Sequence, residues 1–275
     1  MRTLLRVVPV TIGLAVCGSL LEAREGLDHP LTLSDAQREF YNARYDVAAA
    51  QALDLRLADP EDLAAHELRA SALHFLLKNA IGASRDKPKT FRECDPCGAW
   101  MEAFLDETAR GQALARRRLA ADPADEVALF FLGKVDLNYI WLQLGTLGRK
   151  TGWDEFWEAR RSLDAVLKRD PKHVRARIAR AWIDYIVDTR MPRGTRWLVG
   201  GGSRKRALIA LHDAANTEAE FYVRTEAEFS LWDIQVRERN FSEATEIAEK
   251  LLRDFPDNRD LLAFLATDKA VAARD

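Results

Sequence analysis

The residues whose types and spacing could do chemistry are few. Cys94-Asp95-Pro96-Cys97 places two thiols at the predicted start of a helix, where Asp95 can cap the first turn and Pro96 suits it. A helix N-terminus lowers a thiol pKa, so one reading is a redox-active pair, and a proline before the second cysteine also occurs in thioredoxin-like motifs. The other reading is one structural disulfide, favoured because no βαβ pattern surrounds the pair. Gly98 stands where a haem attachment motif needs histidine, and zinc lacks a second ligand pair. His66-Glu67 opens like a metalloprotease helix motif, but Ala70 occupies the place of its second histidine. His74 reads as a core or rim residue, and His29, His173 and His212 have no carboxylate–cysteine arrangement nearby in sequence. No Gly-x-Ser-x-Gly, Walker loop or dinucleotide fingerprint occurs. The expectation is a protein without catalytic residues, metal or cofactor.

One stretch could receive an anion. Arg190 to Arg206 holds six basic residues and no acidic one. Within it Gly200, Gly201 and Gly202 lead into Ser203, a good helix cap, so backbone N–H groups with Arg193, Arg196 and Arg204 could hold an anion. The competing reading is a solvated loop whose Trp197 and Leu198 tuck into the edge of the fold, and the glycine spacing, which matches no phosphate loop, favours it.

The elements that must position these residues are helices. At 275 residues and 48% hydrophobic the chain can bury a sizeable core, which excludes disordered and fibrous classes. Acidic and basic residues nearly balance, 43 against 41, so no overall field recruits nucleic acid or an anionic membrane. Residues 1–23 read as a secretory signal peptide, with Arg2 and Arg6 ahead of an apolar run from Val7 to Val16 and cleavage after Ala23. The alternative is a lipoprotein box, Leu14-Ala15-Val16-Cys17-Gly18, in which Cys17 is lipidated, although Val16 is large for that position. Either route predicts an exported, periplasmic protein, held to a membrane only if Cys17 carries lipid. No later segment has the apolar length of a transmembrane helix. Residues 24–33 read as a short leader and 34–275 as one helical domain.

Ala124 to Pro171 typifies that domain. Its first helix is apolar at Ala128, Phe131, Leu132, Val135, Tyr139 and Leu142, with Leu129, Phe130, Leu137 and Trp141 extending the face almost all round. The second is expected to be capped by Thr151, with Asp154 reaching back, and to turn Trp153, Phe156, Trp157, Leu163, Val166 and Leu167 inward. It stops at Asp170-Pro171. Other helices are expected from Ser34 to Ala58, Leu63 to Gly82 and Pro96 to Ala120, with the polar stretch SRDKPKTFREC between the last two as a loop. Further helices should run from His173 to Val187, Ser203 to Ala215, Glu218 to Glu238, Phe241 to Asp254 and Asn258 to Ala272.

Four helices share a register. Twelve residues before Pro60, Pro123, Pro171 and Pro256 stand Ala48, Gly111, Ala159 and Ala244, and eight before stand Ala52, Ala115, Leu163 and Ala248. Small residues at fixed spacing let a neighbouring helix approach closely. With the Leu132-Gly133 pair, Ala181 at the place equivalent to Gly133, and Asn240-Phe241-Ser242-Glu243-Ala244, this pattern resembles the tetratricopeptide repeat. The closing prolines are 63, 48 and 85 residues apart rather than the family's roughly 34, so helices or loops are extended. The resemblance implies an all-α, right-handed solenoid of stacked antiparallel helix pairs, similar to exported bacterial repeat proteins such as the periplasmic T component of some solute transporters. It also implies a concave groove lined by the first helix of each pair, which places Lys134, Asn138, Trp182 and Tyr185 there as binding candidates, with Trp182 and Tyr185 open to a core reading. The function implied is non-enzymatic recognition of a protein or peptide. The alternatives are a small-ligand or transporter-associated module and, behind both, a thiol oxidoreductase using Cys94 and Cys97.

Overall fold

Four helix-to-helix connections are built from one turn. At Asp59-Pro60, Asp122-Pro123, Asp170-Pro171 and Phe255-Pro256, the carbonyl before the proline accepts a bond from the N–H three residues ahead, at 3.2, 3.0, 3.1 and 3.1 Å. A proline in the second position pre-sets such a turn. The same leading residue donates its own N–H to the carbonyl of Leu55, Arg118, Val166 or Leu251 and so ends the preceding helix. The turn's last residue then caps the next helix: Asp62, Asp125, His173 and Asn258 accept N–H bonds from Ala64, Ala128, Ala176 and Leu261 at 2.8 to 3.1 Å. One four-residue device thus stops one helix and starts another.

The computed structural model describes residues 30–272 apart from 83, 150 and 192, without the side chains of 193, 195, 199 and 268–272. The signal-peptide and Cys17 readings lie outside the described residues. From Leu31 onward the chain forms one unit, all-helical among the described residues. Its helices are α1 (Leu33–Tyr41), α2 (Tyr45–Ala58), α3 (Leu63–Ile81), α4 (Lys87–Glu93), α5 (Cys97–Ala121), α6 (Glu126–Ile140), α7 (Trp153–Arg169), α8 (Val174–Arg190), α9 (Arg204–Ala215), α10 (Phe221–Glu238), α11 (Phe241–Asp254) and α12 (Arg259–Ala272). A π-turn, Trp141–Thr146, extends α6, and a 3₁₀ segment, Arg193–Val199, precedes α9.

Several local expectations are corrected. The first predicted helix is two, because the chain turns at Ala43, whose φ of 57° no α-helix accommodates. The polar stretch read as a loop contains α4, started by Asp86, whose carboxylate accepts the Lys89 N–H at 3.0 Å. Asp95 makes no cap for α5, which starts behind Pro96 with no side-chain cap bond. Thr151 does not cap α7 either; Gly152 stands there at φ 92°, and Trp153 is 46% exposed rather than turned inward. With its π extension, α6 also reaches a length and hydropathy sufficient to cross a membrane, contrary to the expectation, but 67% of that window is buried inside the protein. Cys94 and Cys97 form a disulfide that joins α4 to α5, and Cys97 is buried in a cluster with Leu77, Phe104 and Leu142.

Packing follows the small-residue register. Ala48, Ala52, Ala115, Ala159, Leu163, Ala244 and Ala248 have no exposed surface, and Gly111 is buried. Helices α6 and α7 meet at Gly133, where an added Cβ would lie 2.8 Å from Leu163 Cγ and 3.3 Å from the Ala159 carbonyl. A side chain at position 133 would therefore force α6 and α7 apart.

The two ends of the unit are joined. Asn258 donates to the Tyr41 carbonyl at 2.7 Å while its own Oδ1 caps α12, Arg259 donates to the Ala43 carbonyl at 3.0 Å, and Tyr45 donates to Asp260 at 3.1 Å. The Tyr41 ring lies between these bonds and Phe229 and Phe255, with centroids 5.2 and 5.6 Å away. An open array would leave these groups to water.

Gly133→Val should cost about 1–3 kcal/mol as overpacking. Gly111→Ala, whose new Cβ would meet its nearest neighbours at 3.4 Å, should cost distinctly less. Urea denaturation of the two variants measures the difference, and equal midpoints would break the α6–α7 contact argument.

Candidate functional site

Lys134 and Asn138, both predicted to line a binding face, project from α6 into a cluster supplied by four helices. Lys134 Nζ donates to Glu226 Oε1 at 2.6 Å, and Arg175 Nε donates to Glu226 Oε2 at 2.6 Å. Glu67 stands farther off, 3.8 Å from Lys134 Nζ and 3.7 Å from Arg175 Nη2, and accepts instead from Ser71 at 2.9 Å and Asn138 at 3.2 Å. The Arg175 guanidinium lies 4.8 Å from the centroid of the Phe130 ring, a cation–π contact. A fifth helix, α1, brings Tyr41 to the same region, stacked on Tyr222 and Phe229 of α10.

Electrostatics closes this cluster. Burial alone would push the Glu226 carboxyl up, but Arg175 and Lys134 outweigh it and hold it down to about 2. Burial likewise opposes the charge on Lys134 and Arg175, and Glu226 and Glu67 reverse this, raising both. For Tyr41, burial and then the Glu226 charge both raise the hydroxyl pKa, so it stays neutral. Two cations meet two carboxylates, and the four side chains keep only 7% to 21% of their surface. The arrangement is a charge-balanced knot between helices.

Trp182 and Tyr185, the other two candidates, lie farther along α8 in a separate aromatic group. Trp182 is half-buried, edge-on to Trp141 at 5.8 Å and to Tyr185 at 5.8 Å, with the Arg237 guanidinium 5.5 Å from its ring centroid. Trp141 starts the π-turn, a widened helical turn of the kind common at functional sites. Lys87 Nζ fixes the end of that turn through the carbonyls of Gly145 and Thr146, at 3.1 and 2.6 Å. Tyr185 is a core residue, 6% exposed. Its hydroxyl donates to Glu238 at 2.8 Å, and burial followed by that bond pushes it up to about 12. Of the four candidates Trp182 and Lys134 are only partly buried, and the charge of Lys134 is already met by Glu226.

Two cations of the basic stretch, Arg196 and Arg204, are used internally. Arg196 donates to the Met191 carbonyl at 3.1 Å and to Asp188, the Arg204 N–H reaches Asp188 at 2.8 Å, and the Arg204 guanidinium pairs with Glu238. Ser203 caps α9 by accepting the Arg206 N–H at 3.3 Å, and the Arg193 side chain lies outside the described part. Gly202 serves close packing, since an added Cβ would lie 2.5 Å from the Asp184 carbonyl. Trp197 and Leu198 do not tuck away: they are 73% and 55% exposed.

Sequence reasoning missed Glu67, Arg175 and Glu226, although a charge inside an apolar run, such as Lys134 within Phe-Phe-Leu-Gly-Lys-Val, signals that a buried counter-charge is needed. It missed Asp136 for the same reason. That carboxyl has no exposed surface and accepts from Gln112 at 2.7 Å; burial first, and then the nearby Glu158 carboxylate, push it up to about 8. Among the remaining histidines, His66 is bonded to Glu107 and lies 3.1 Å from the Pro60 carbonyl. Burial and then Lys78 lower His74 to about 3, so it sits neutral beside Thr146. No group of three or more metal-ligating side chains occurs among the described residues. Comparisons with protein-family models, curated proteins and solved structures return no match for this chain.

Two outcomes follow. Glu226→Ala, which strands two buried cations, should cost about 3–5 kcal/mol, and Lys134→Met in the same chain should recover part of it, read from a double-mutant cycle in urea. Asp136 keeps a proton in the folded state that the unfolded chain releases above its ordinary carboxylate range, so it lowers stability progressively as pH rises from about 4 to about 8. Asp136→Asn should flatten that decline, and the same slope of melting temperature against pH in both proteins would exclude the assignment.

Proposed function

We propose that this chain is a tetratricopeptide-like, non-enzymatic binding scaffold, and that it takes a short protein segment against Trp182 and Trp141. The repeated Asp-Pro turns, the buried small-residue register and the Gly133–Leu163 contact support the repeat-like reading. The observation that carries the function is the half-buried Trp182, flanked by Trp141 and roofed by Arg237, about two turns along α8 from Arg175, whose own charge is taken up by Glu226. Trp and Arg dominate the energetics of protein interfaces because they bury large rigid area while keeping a polar handle.

Two of the clefts among the described residues, of about 190 and 170 Å³, are below the roughly 300 Å³ at which drug-sized ligand sites begin. The joined ends argue against a long peptide lying along an open groove, which leaves a loop or chain terminus as the occupant. The Cys94–Cys97 disulfide, with Cys97 buried, reads as structural on the same grounds. Export to the periplasm remains part of the proposal through the first 23 residues alone.

A photo-crosslinking phenylalanine at position 182 should capture a partner that the same group at Ile209, exposed on α9, does not. With that partner in hand, Trp182→Ala should weaken binding by about 2 kcal/mol, roughly thirtyfold, measured at a temperature where the variant is still folded. Equal capture at both positions would remove Trp182 from the interface.

A further inference from the structure

Between α7, α8 and α9 lies a cleft of about 170 Å³ whose charged lining is Arg177, Arg180, Asp184 and Arg206, over an apolar floor of Leu167 and three alanines. Three guanidinium groups face one carboxylate there, and their partners outside the cleft are few. Arg177 has Asp213 at 3.4 Å, a carboxylate that is 60% exposed and so held weakly. Arg180 Nε donates to Asp164 at 2.7 Å, while its Nη1 lies 2.7 Å from Asp184 Oδ1 at an angle that leaves both atoms buried without a hydrogen bond. Arg206 is exposed, and its guanidinium forms no ion pair among those described.

A fourth arginine presses on the same region. Arg160 donates to the carbonyls of Gly200 and Gly201 at 2.8 and 3.3 Å, and burial, then the charge of Arg180, with Arg206 contributing, lower its pKa. Four guanidinium groups, Arg160, Arg177, Arg180 and Arg206, thus stand among three carboxylates, Asp164, Asp184 and Asp213. Among the described ion pairs Arg206 is the one of the four without a carboxylate, and it stands on the cleft that solvent can enter. Guanidinium forks arriving from two helices suit an acceptor with several oxygens in different directions, which a tetrahedral oxyanion has and a flat carboxylate lacks.

We propose that this cleft is a binding site for a phosphate oxyanion, gripped by Arg206 and Arg177, with the charge of Arg180 behind them. The site is separate from the Trp182 surface and independent of the function proposed for it. The cleft has room for an oxyanion and attached water and is too small for a nucleotide. The same phosphate chemistry is offered by free inorganic phosphate and by a small phosphate monoester.

Calorimetric titration of the full chain with inorganic phosphate and, separately, with glycerol phosphate, at ionic strength fixed with chloride, tests this. Saturable binding of either is expected, the tighter of the two identifying the source. Arg206→Ala, at an exposed position, and Arg177→Ala should each weaken binding at least tenfold, and Arg206→Lys should fall between. Arg117→Ala, on α5 and paired with Glu61, should change nothing. Absence of saturable binding beyond the chloride control would overturn the site, as would binding that both alanine variants leave intact.

Discussion

The fold depends on two cations and two carboxylates that leave water together. Lys134, Arg175, Glu226 and Glu67 come from α6, α8, α10 and α3, helices far apart in the chain, and none could be buried singly without a penalty of several kcal/mol. Their pairing is therefore conditional on all four helices arriving. Apolar contacts between neighbouring helices tolerate sliding by a residue, whereas this set of distances is met in one arrangement only.

Around that fixed point, the remaining order is local and repetitive. Each Asp-Pro turn ends one helix and begins the next within four residues, and the small residues a fixed distance before the proline let the flanking helices close on one another. Function is displaced from the centre as a result. With the ionic layer saturated by its own members, the proposed partner surface lies at the aromatic end around Trp182, and the proposed anion site on the cleft beside α9.

Helices were legible because their signals are local: apolar spacing, closing prolines and small residues can all be counted along the chain. Even the disulfide needed only Cys94 and Cys97. Caps were read less well. Thr151 and Asp95 have suitable chemistry, but Gly152 and Pro96 occupy the capping positions, and backbone conformation decides which residue meets the free N–H groups. Lys134 and Asn138 were chosen for their place in a repeat register as groove residues; the structure has them bonded to side chains of other helices 67 to 92 residues away, beyond any spacing rule. Arg196 and Arg204 illustrate the converse limit. A stretch without acids reads as electropositive until Asp188 and Glu238, outside it in sequence, are folded against it.

The bonds from Asn258, Arg259 and Asp260 to Tyr41, Ala43 and Tyr45 span 215 to 217 residues, and they bear on how the molecule is made. A chain emerges from the ribosome at about 5–20 residues per second, so the first two helices wait roughly 10 to 40 seconds for the residues that cover them. Throughout that interval the carbonyls of Tyr41 and Ala43 face water or whatever protein is at hand. The first of the described helices are consequently among the last to be covered, and a chain lacking α12 would show its defect at α1 and α2.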